Sequence, residues 1–178
     1  MLVMAGASAS GKTEIAKIII KKYNFKKMIT YTTRAKREGE YDGIDYHFIS
    51  NDDFTKRMNR NFFIETTLYN ENYYGTAFQD ASFDKVLIVD TNGANTLFER
   101  LKSKVTIFFL EAPEEIRRER MRLRGDQEED IKRRLCEDAT YFVKEKLHHI
   151  DYVIETQNQG LEELADEVYN RYMNHFLK

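Results

Sequence analysis

The eight residues from Gly6 to Thr13, GASASGKT, constrain this chain more than any other stretch. They satisfy the phosphate-binding template G-x-x-x-x-G-K-[ST] at every specified position. Gly6 and Gly11 allow backbone turns that are closed to residues carrying a Cβ. The peptide N–H groups of Gly6, Ala7, Ser8, Ala9, Ser10 and Gly11 can then surround an anion in one concavity. Lys12 reaches the outer phosphates as a point charge, and the Thr13 hydroxyl is a ligand for Mg2+. The flanks fit the motif. Met1-Leu2-Val3-Met4-Ala5 reads as a short buried strand, and Ile15, Ile18, Ile19 and Tyr23 recur at helical spacing over Glu14 to Tyr23. Strand, glycine-containing loop and helix put the anion at a helix N-terminus. The chain is therefore expected to bind a nucleotide.

At 178 residues the sequence suits one domain, and 42% hydrophobic with 33% charged residues is a globular composition. A net charge of −2 gives no reason to expect a nucleic-acid or membrane-surface binder. Cys136 is the sole cysteine, which excludes an intrachain disulfide and a cysteine-based metal site. No apolar run reaches the length of a membrane span, and the first strand leads straight into the loop, where a cleaved signal peptide would destroy the site. A cytoplasmic location is expected.

Further along, the pattern predicts strands over residues 28–31, 44–50, 62–69 and 73–76, with a helix capped by Asn51 or Asp52 and running to about Arg60, and a turn at Asn70-Glu71-Asn72. The apolar runs at 85–90, 105–110 and 152–154 read as buried parallel strands. Helices are expected over 94–102, over 113–123 with Pro113 at its start, over 128–148, and from Leu161 to the C-terminus. Alternating strands and helices imply an α/β fold with a parallel sheet covered on both faces. Residues 32–83 break that rhythm and read as an inserted, mostly antiparallel subdomain.

Charge marks three places. Arg34 and Arg37 follow a strand, where an open α/β sheet places its ligands, and their planar forks suit a phosphate. Arg117, Arg118, Arg120, Arg122 and Arg124, with Lys132, Arg133 and Arg134, flank an Arg-Gly break that suggests a closing lid. Asp90 ends an apolar strand, where phosphate-loop enzymes keep a magnesium-associated acid. His47 reads as packed, and His148 and His149 as helix-terminal cations. No residue stands out as a general base. A phosphate monoester acceptor, with its second pKa near about 6, needs none.

GASASGKT, TTRAKREGEYDGIDYHF, FIET, NYYGT and the Arg-Gly lid together resemble guanylate kinases, in order and over essentially the whole chain. The resemblance implies the phosphate-loop nucleoside monophosphate kinase fold: a five-stranded parallel core sheet with helices on both faces, formed by residues 1–31, 84–121 and 138–178. It adds a GMP-binding subdomain at 32–83 and a helical lid at 122–137, within a single domain. It implies Mg-dependent transfer from ATP to GMP or dGMP by a monomer or homodimer. Carried over by residue, Arg34, Arg37, Tyr46 and Tyr74 hold the GMP phosphate, and Glu65 with Thr30 and Thr76 holds the guanine. Glu40 supports the pocket, Arg124 and Arg134 are the lid arginines beside catalytic Lys12 and Arg34, and Thr13 with Asp90, directly or through water, holds Mg2+. The chain departs from the family pattern at Ile88, where an acid is usual, at Ala35, usually proline, and in a lid about one residue shorter. Where the family often has an asparagine for adenine, it has Thr156, Gln157 and Asn158. Two alternatives stand beside this reading: a binding module that uses the GMP pocket without turnover, and a related kinase acting on a sugar phosphate.

Overall fold

The computed structural model describes residues 1–69 and 71–177. The turn expected at Asn70 lies outside the described residues, as does Lys178 at the end of the expected last helix. In chain order the elements are β1 (Leu2–Ala5), α1 (Lys12–Tyr23), β2 (Lys26–Lys27), β3 (Tyr31–Thr32), β4 (His47–Phe48), α2 (Asn51–Asn59), β5 (Phe63–Tyr69) and β6 (Asn72–Ala77). Then follow β7 (Lys85–Ile88), α3 (Thr91–Leu101), β8 (Thr106–Glu111), α4 (Glu114–Leu123), α5 (Glu128–Tyr141), β9 (Tyr152–Glu155) and α6 (Leu161–His175).

Five strands form one sheet in the order β2-β7-β1-β8-β9, and every pairing in it is parallel. Strand β1 is apolar throughout because both its faces are covered. The period of two divides it: Leu2 and Met4 pack with Ile15, Ile19 and Val168 beneath α1 and α6, whereas Met1, Val3 and Ala5 pack with Ala94 and Leu97 beneath α3. The expected five-stranded α/β core is present.

A second sheet of four strands, ordered β4-β3-β6-β5, is drawn from residues 31–77. Two of its three pairings are antiparallel and one, β3 with β4, is parallel. Strand β5 joins the two layers: Phe63 enters the aromatic cluster with Tyr31 and Phe54, and its neighbour Ile64 enters the main core with Val3 and Leu97. Register shifts between Phe63 and Glu65, and the Arg100 guanidinium donates to the carbonyls of Phe63 and Ile64 at 2.8 and 2.7 Å.

Several sequence expectations need correction. The single strand expected at 28–31 is two short ones: Lys26–Lys27 joins the main sheet and Tyr31–Thr32 joins the second, so the chain changes layers between them. Over 44–50 only His47–Phe48 pairs, because Asp42 and Gly43 fold back in a turn in which Phe48 N donates to Asp42 Oδ1 at 2.8 Å. Helix α3 begins at Thr91 rather than Ala94, since Asp90 caps it by accepting from Gly93 N at 2.7 Å. Helix α5 ends at Tyr141 rather than His148. The stretch after it has no apolar period to bury, and Leu147 and Ile150 instead reach the core from extended backbone. His148 and His149 are therefore not at a helix end; they contact Glu99 at 2.8 Å and Asp151 at 3.0 Å. The cap of α2 is Ser50, whose hydroxyl accepts from Asp53 N at 3.1 Å, rather than Asn51 or Asp52.

Gly6 leaves β1 with φ +140°, and a Cβ there would lie 2.3 Å from the Leu110 carbonyl oxygen on β8. Gly6→Ala is expected to destabilise the protein by about 3 kcal/mol and lower the thermal midpoint by roughly 6–12 °C. A midpoint within about 2 °C of the parent would show that β8 yields here.

Candidate active site

A peptide group has a donor at one end and an acceptor at the other, so a loop that gathers N–H groups around an anion must turn carbonyls elsewhere. The carbonyls of the GASASGKT loop all find donors. Lys12 Nζ donates to the carbonyls of Gly6 and Ala7 at 2.6 Å each, and to Ser10 Oγ at 3.2 Å. Arg117 reaches the Ser8 carbonyl at 3.4 Å, and Arg120 the Ala9 carbonyl at 3.2 Å. The Thr156 hydroxyl donates to the Ser10 carbonyl at 3.0 Å, and Ile15 N closes the first turn of α1 on Gly11 at 3.0 Å. Gly11 caps that helix with φ 94°, a conformation natural to glycine. The amides of the first turn, which have no intrahelical acceptor, face the same end of the sheet.

The loop borders a 420 Å³ cavity lined by Gly11, Lys12, Thr13, Arg120, Arg124 and Gln159 among others. Burial lowers the Lys12 ammonium pKa to about 8; Asp138 opposes that shift and Arg117 reinforces it. Arg124 lies at the cavity edge, held by Asp126 at 2.9 Å, and Arg134 is exposed on α5.

A separate 380 Å³ cavity opens between the two sheets, lined by Thr30, Tyr46, Glu65, Tyr74, Thr76, Ile88 and Asp90 among others. Glu65 is aimed into it by the irregularity in β5, and its Oε1 accepts from Thr76 Oγ1 at 2.6 Å. Burial raises the Glu65 pKa above the ordinary carboxylate range; the Thr76 bond opposes this and Asp90 adds to it. Near the cavity Arg34 pairs with Glu40 at 2.7 Å and lies 5.5 Å from the centre of the Tyr46 ring. The Tyr46 and Tyr74 rings are 6.0 Å apart, and Arg37 N donates to Glu40 Oε2 at 2.8 Å. Glu40 thus sets both arginine-bearing segments, and Arg34 in turn holds its carboxyl below the usual range.

The structure brings Thr30, Tyr46, Glu65, Tyr74, Thr76 and Asp90 around one cavity, and Lys12, Thr13 and Arg124 around another. Asp90 and Thr13 do not share a cavity. The arginine cluster divides. Arg118 and Arg122 make exposed ion pairs with Glu114 and Glu128, the solvated kind of charge. Arg117 and Arg120, three residues apart on the inner face of α4, serve the loop instead. Sequence reading missed the roles of Arg117 and Arg120, of Asp138 and of Thr156; the three-residue spacing on α4 was the one available signal.

The family model for guanylate kinase matches residues 1–175. A guanylate kinase of Desulfotalea psychrophila is 34% identical over 165 residues, spanning 86% of this chain and 79% of that protein. That of Anaplasma phagocytophilum is 32% identical over 96% of this chain and 84% of its own. The crystal structure of guanylate kinase from A. phagocytophilum superposes with a TM-score of 0.66 at 25% identity, covering all of this chain and 86% of that one. A gluconokinase from Sinorhizobium meliloti, at 14% identity and a TM-score of 0.50 over 97% of this chain and 91% of its own, shares the fold alone.

Thr156 is buried, and its Oγ also accepts from Arg120 at 3.1 Å. Thr156→Val keeps the shape but leaves the Ser10 carbonyl without its donor. The expected loss is about 1–3 kcal/mol, read as a lower denaturation midpoint at unchanged m-value; an unchanged midpoint would mean that water replaces the hydroxyl.

Proposed function

The chain belongs to the guanylate kinase family, and from that premise we propose how its own residues divide the work of transferring a phosphoryl group to GMP. The protein is a nucleoside monophosphate kinase, an ATP:GMP phosphotransferase. We assign the donor triphosphate to the GASASGKT loop and the acceptor to the cavity around Glu65. The observation that carries the acceptor assignment is the half-buried carboxylate of Glu65 in a cavity with Thr30, Thr76 and Tyr74. Guanine offers adjacent N–H donors on one edge, which a carboxylate can accept together, and adenine offers no such pair. Arg34, Arg37, Tyr46 and Tyr74 hold the acceptor phosphate, with Glu40 orienting Arg34 through their 2.7 Å pair.

In the transfer, Lys12 moves from the loop carbonyls to the outer phosphates of the donor, exchanging neutral partners for anionic ones. Arg124 and Arg134 on the lid neutralise charge on the phosphoryl group in flight. The acceptor phosphate is already anionic at neutral pH, so the site needs no base. Magnesium, when bound with the donor, neutralises charge on its phosphates. Among the described residues no cluster of three or more histidine, cysteine or acidic groups is arranged to hold a metal. An ion bound with the donor would be held by a hydroxyl, a carboxylate through water, and the nucleotide's own oxygens. Thr13 at the start of α1 and Asp90, the residue before α3, would supply that hydroxyl and that carboxylate. Functionally the chain divides into a core at 1–31, 84–121 and 138–178, an acceptor subdomain at 32–83 and a lid at 122–137. The two cavities have no lining residue in common, so lid and subdomain must close to bring donor and acceptor into line and exclude water. A cytoplasmic location suits a reaction between two free nucleotides.

The direct test couples ADP formation to a spectrophotometric readout, with Mg·ATP as donor and GMP, AMP, CMP and UMP offered in turn. Turnover with GMP alone is expected. Binding of GMP without turnover would move the protein to the binding-module class. The pH dependence follows from two partly buried groups. Glu65 must be ionised, so kcat/KM for GMP falls as pH drops through a pKa above the ordinary carboxylate range. Lys12 must be protonated, so kcat/KM for ATP falls as pH rises through about 8. Glu65→Gln should abolish the acidic limb for GMP and weaken GMP while leaving ATP affinity intact; a limb that survives the substitution belongs to another group.

A further inference from the structure

Asp138 belongs to none of the motifs that mark the site, yet it is a buried carboxylate, 4% exposed, near the C-terminal end of α5. Burying a carboxylate is unfavourable unless its oxygens are filled with donors. They are filled from the phosphate loop. Oδ2 accepts from Ser8 N at 2.9 Å and Oδ1 from Ser8 Oγ at 2.9 Å, while Arg117 Nη1 closes on Oδ2 at 2.6 Å. Arg117 also reaches the Ser8 carbonyl. The N–H, hydroxyl and carbonyl of a single loop residue are thus all held by one ion pair carried on α4 and α5.

The next residue shows why such a hold is needed. Ala9 has φ 59°, the left-handed region, which a residue with a Cβ occupies only where its surroundings impose it. Its methyl packs against Met121, Ile131 and Leu135, all from α4 and α5. The outer limb of the loop is therefore shaped by the helices that flank the lid, by polar contacts at Ser8 and apolar ones at Ala9.

We propose that Asp138 is a positioning residue for the phosphate donor: from α5 its carboxylate fixes the Ser8 peptide and so keeps the loop in the form that receives the triphosphate. The proposal rests on the assignment of the loop to the donor. Asp138 does not touch the reacting atoms. Its effect falls on the donor half of the reaction alone, because its loop contact is with Ser8 and the acceptor cavity lies between the two sheets.

Calorimetric titration of the variants with Mg·ATP and, separately, with GMP tests this. Asp138→Asn is expected to raise Kd for ATP about tenfold and leave Kd for GMP within about twofold. KM for ATP should follow Kd, with kcat at saturating ATP changed by less than about threefold. Ser8→Ala, which removes one of the two bonds, should raise Kd for ATP about threefold. Asparagine leaves Arg117 without its counter-charge and can destabilise the fold, so Arg117→Met with Asp138→Leu serves as the control, removing both ions together. If Asp138 positions Ser8, that double variant still binds ATP weakly and GMP normally. A double variant that binds ATP as tightly as the parent would show that the contacts to Ser8 are dispensable, and the proposal is then overturned. Parallel loss of ATP and GMP affinity in Asp138→Asn would overturn it too. Lys12→Ala separates the premise from the proposal: unchanged ATP affinity there would refute the loop as donor site, whereas lost ATP affinity there with none lost in Asp138→Asn would refute the role of Asp138 alone.

Discussion

The structure depends on satisfying the carbonyls of one loop. In the Gly6–Thr13 loop the N–H of Ser8 bonds to Asp138 and that of Ser10 to the Ala7 carbonyl; turning the other N–H groups toward a concavity leaves a run of C=O groups facing the protein, where an unpaired acceptor costs about 1–3 kcal/mol. Their donors come from four side chains: Lys12 at the start of α1, Arg117 and Arg120 on α4, and Thr156 just after β9. The main sheet brings these together, because β1, β8 and β9 lie side by side and parallel, and so end at the same edge. The Glu111 carbonyl accepts from the Thr156 N–H at 2.8 Å, and the Thr156 hydroxyl donates to the Ser10 carbonyl, which ties the ends of β8 and β9 to the loop they support. The order of strands thus serves the chemistry of the loop, and a change at any of these donors is felt at the anion site without touching the anion.

The acceptor half is built on a different principle. It relies on a small aromatic cluster and on β5, which belongs to both cores at once through Phe63 and Ile64. That double anchorage needs an irregular strand, and the irregularity is what turns Glu65 into the cavity. Arg100 covers the carbonyls freed by the irregularity, so a residue on α3 stabilises the strand that carries the guanine-recognising acid. The same helix begins at Asp90 in the cavity wall. Movement of the second sheet against the first must pass through these contacts.

What could be read from the sequence was local, and what could not was paired at long range. GASASGKT with its apolar strand and amphipathic helix is specified by neighbouring residues, as are the runs that become β7, β8 and β9. Met28 to Tyr31 looked like one strand because apolar and β-branched residues adjoin there; that two sheets compete for it is a tertiary fact. The 128–148 helix overran because its polar stretch Lys144 to His149 has good helix formers, and propensity is overridden by Leu147 and Ile150 reaching the core. In the site, Glu65, Arg34 and Tyr74 were found through family-specific strings rather than through any periodicity. Asp138 lay on an acidic, apparently solvated helix, and its partner Ser8 stands 130 residues away.

Ile88 is the departure from the family pattern with the clearest electrostatic meaning. It lines the acceptor cavity and is 37% exposed there, in a position where an acid would face Glu65 and Asp90. Glu65 is already pushed toward its neutral form by burial and by Asp90. A third carboxylate would push further in the same direction, since like charges in a poorly solvated cleft disfavour ionisation. An apolar side chain at 88 removes that repulsion and deepens the desolvation by covering part of the wall. The two effects oppose each other at Glu65, and the Thr76 hydroxyl, at 2.6 Å, offsets part of the upward shift that burial imposes. Isoleucine at this position is therefore compatible with an acceptor site that keeps its charge, provided Thr76 stays in place.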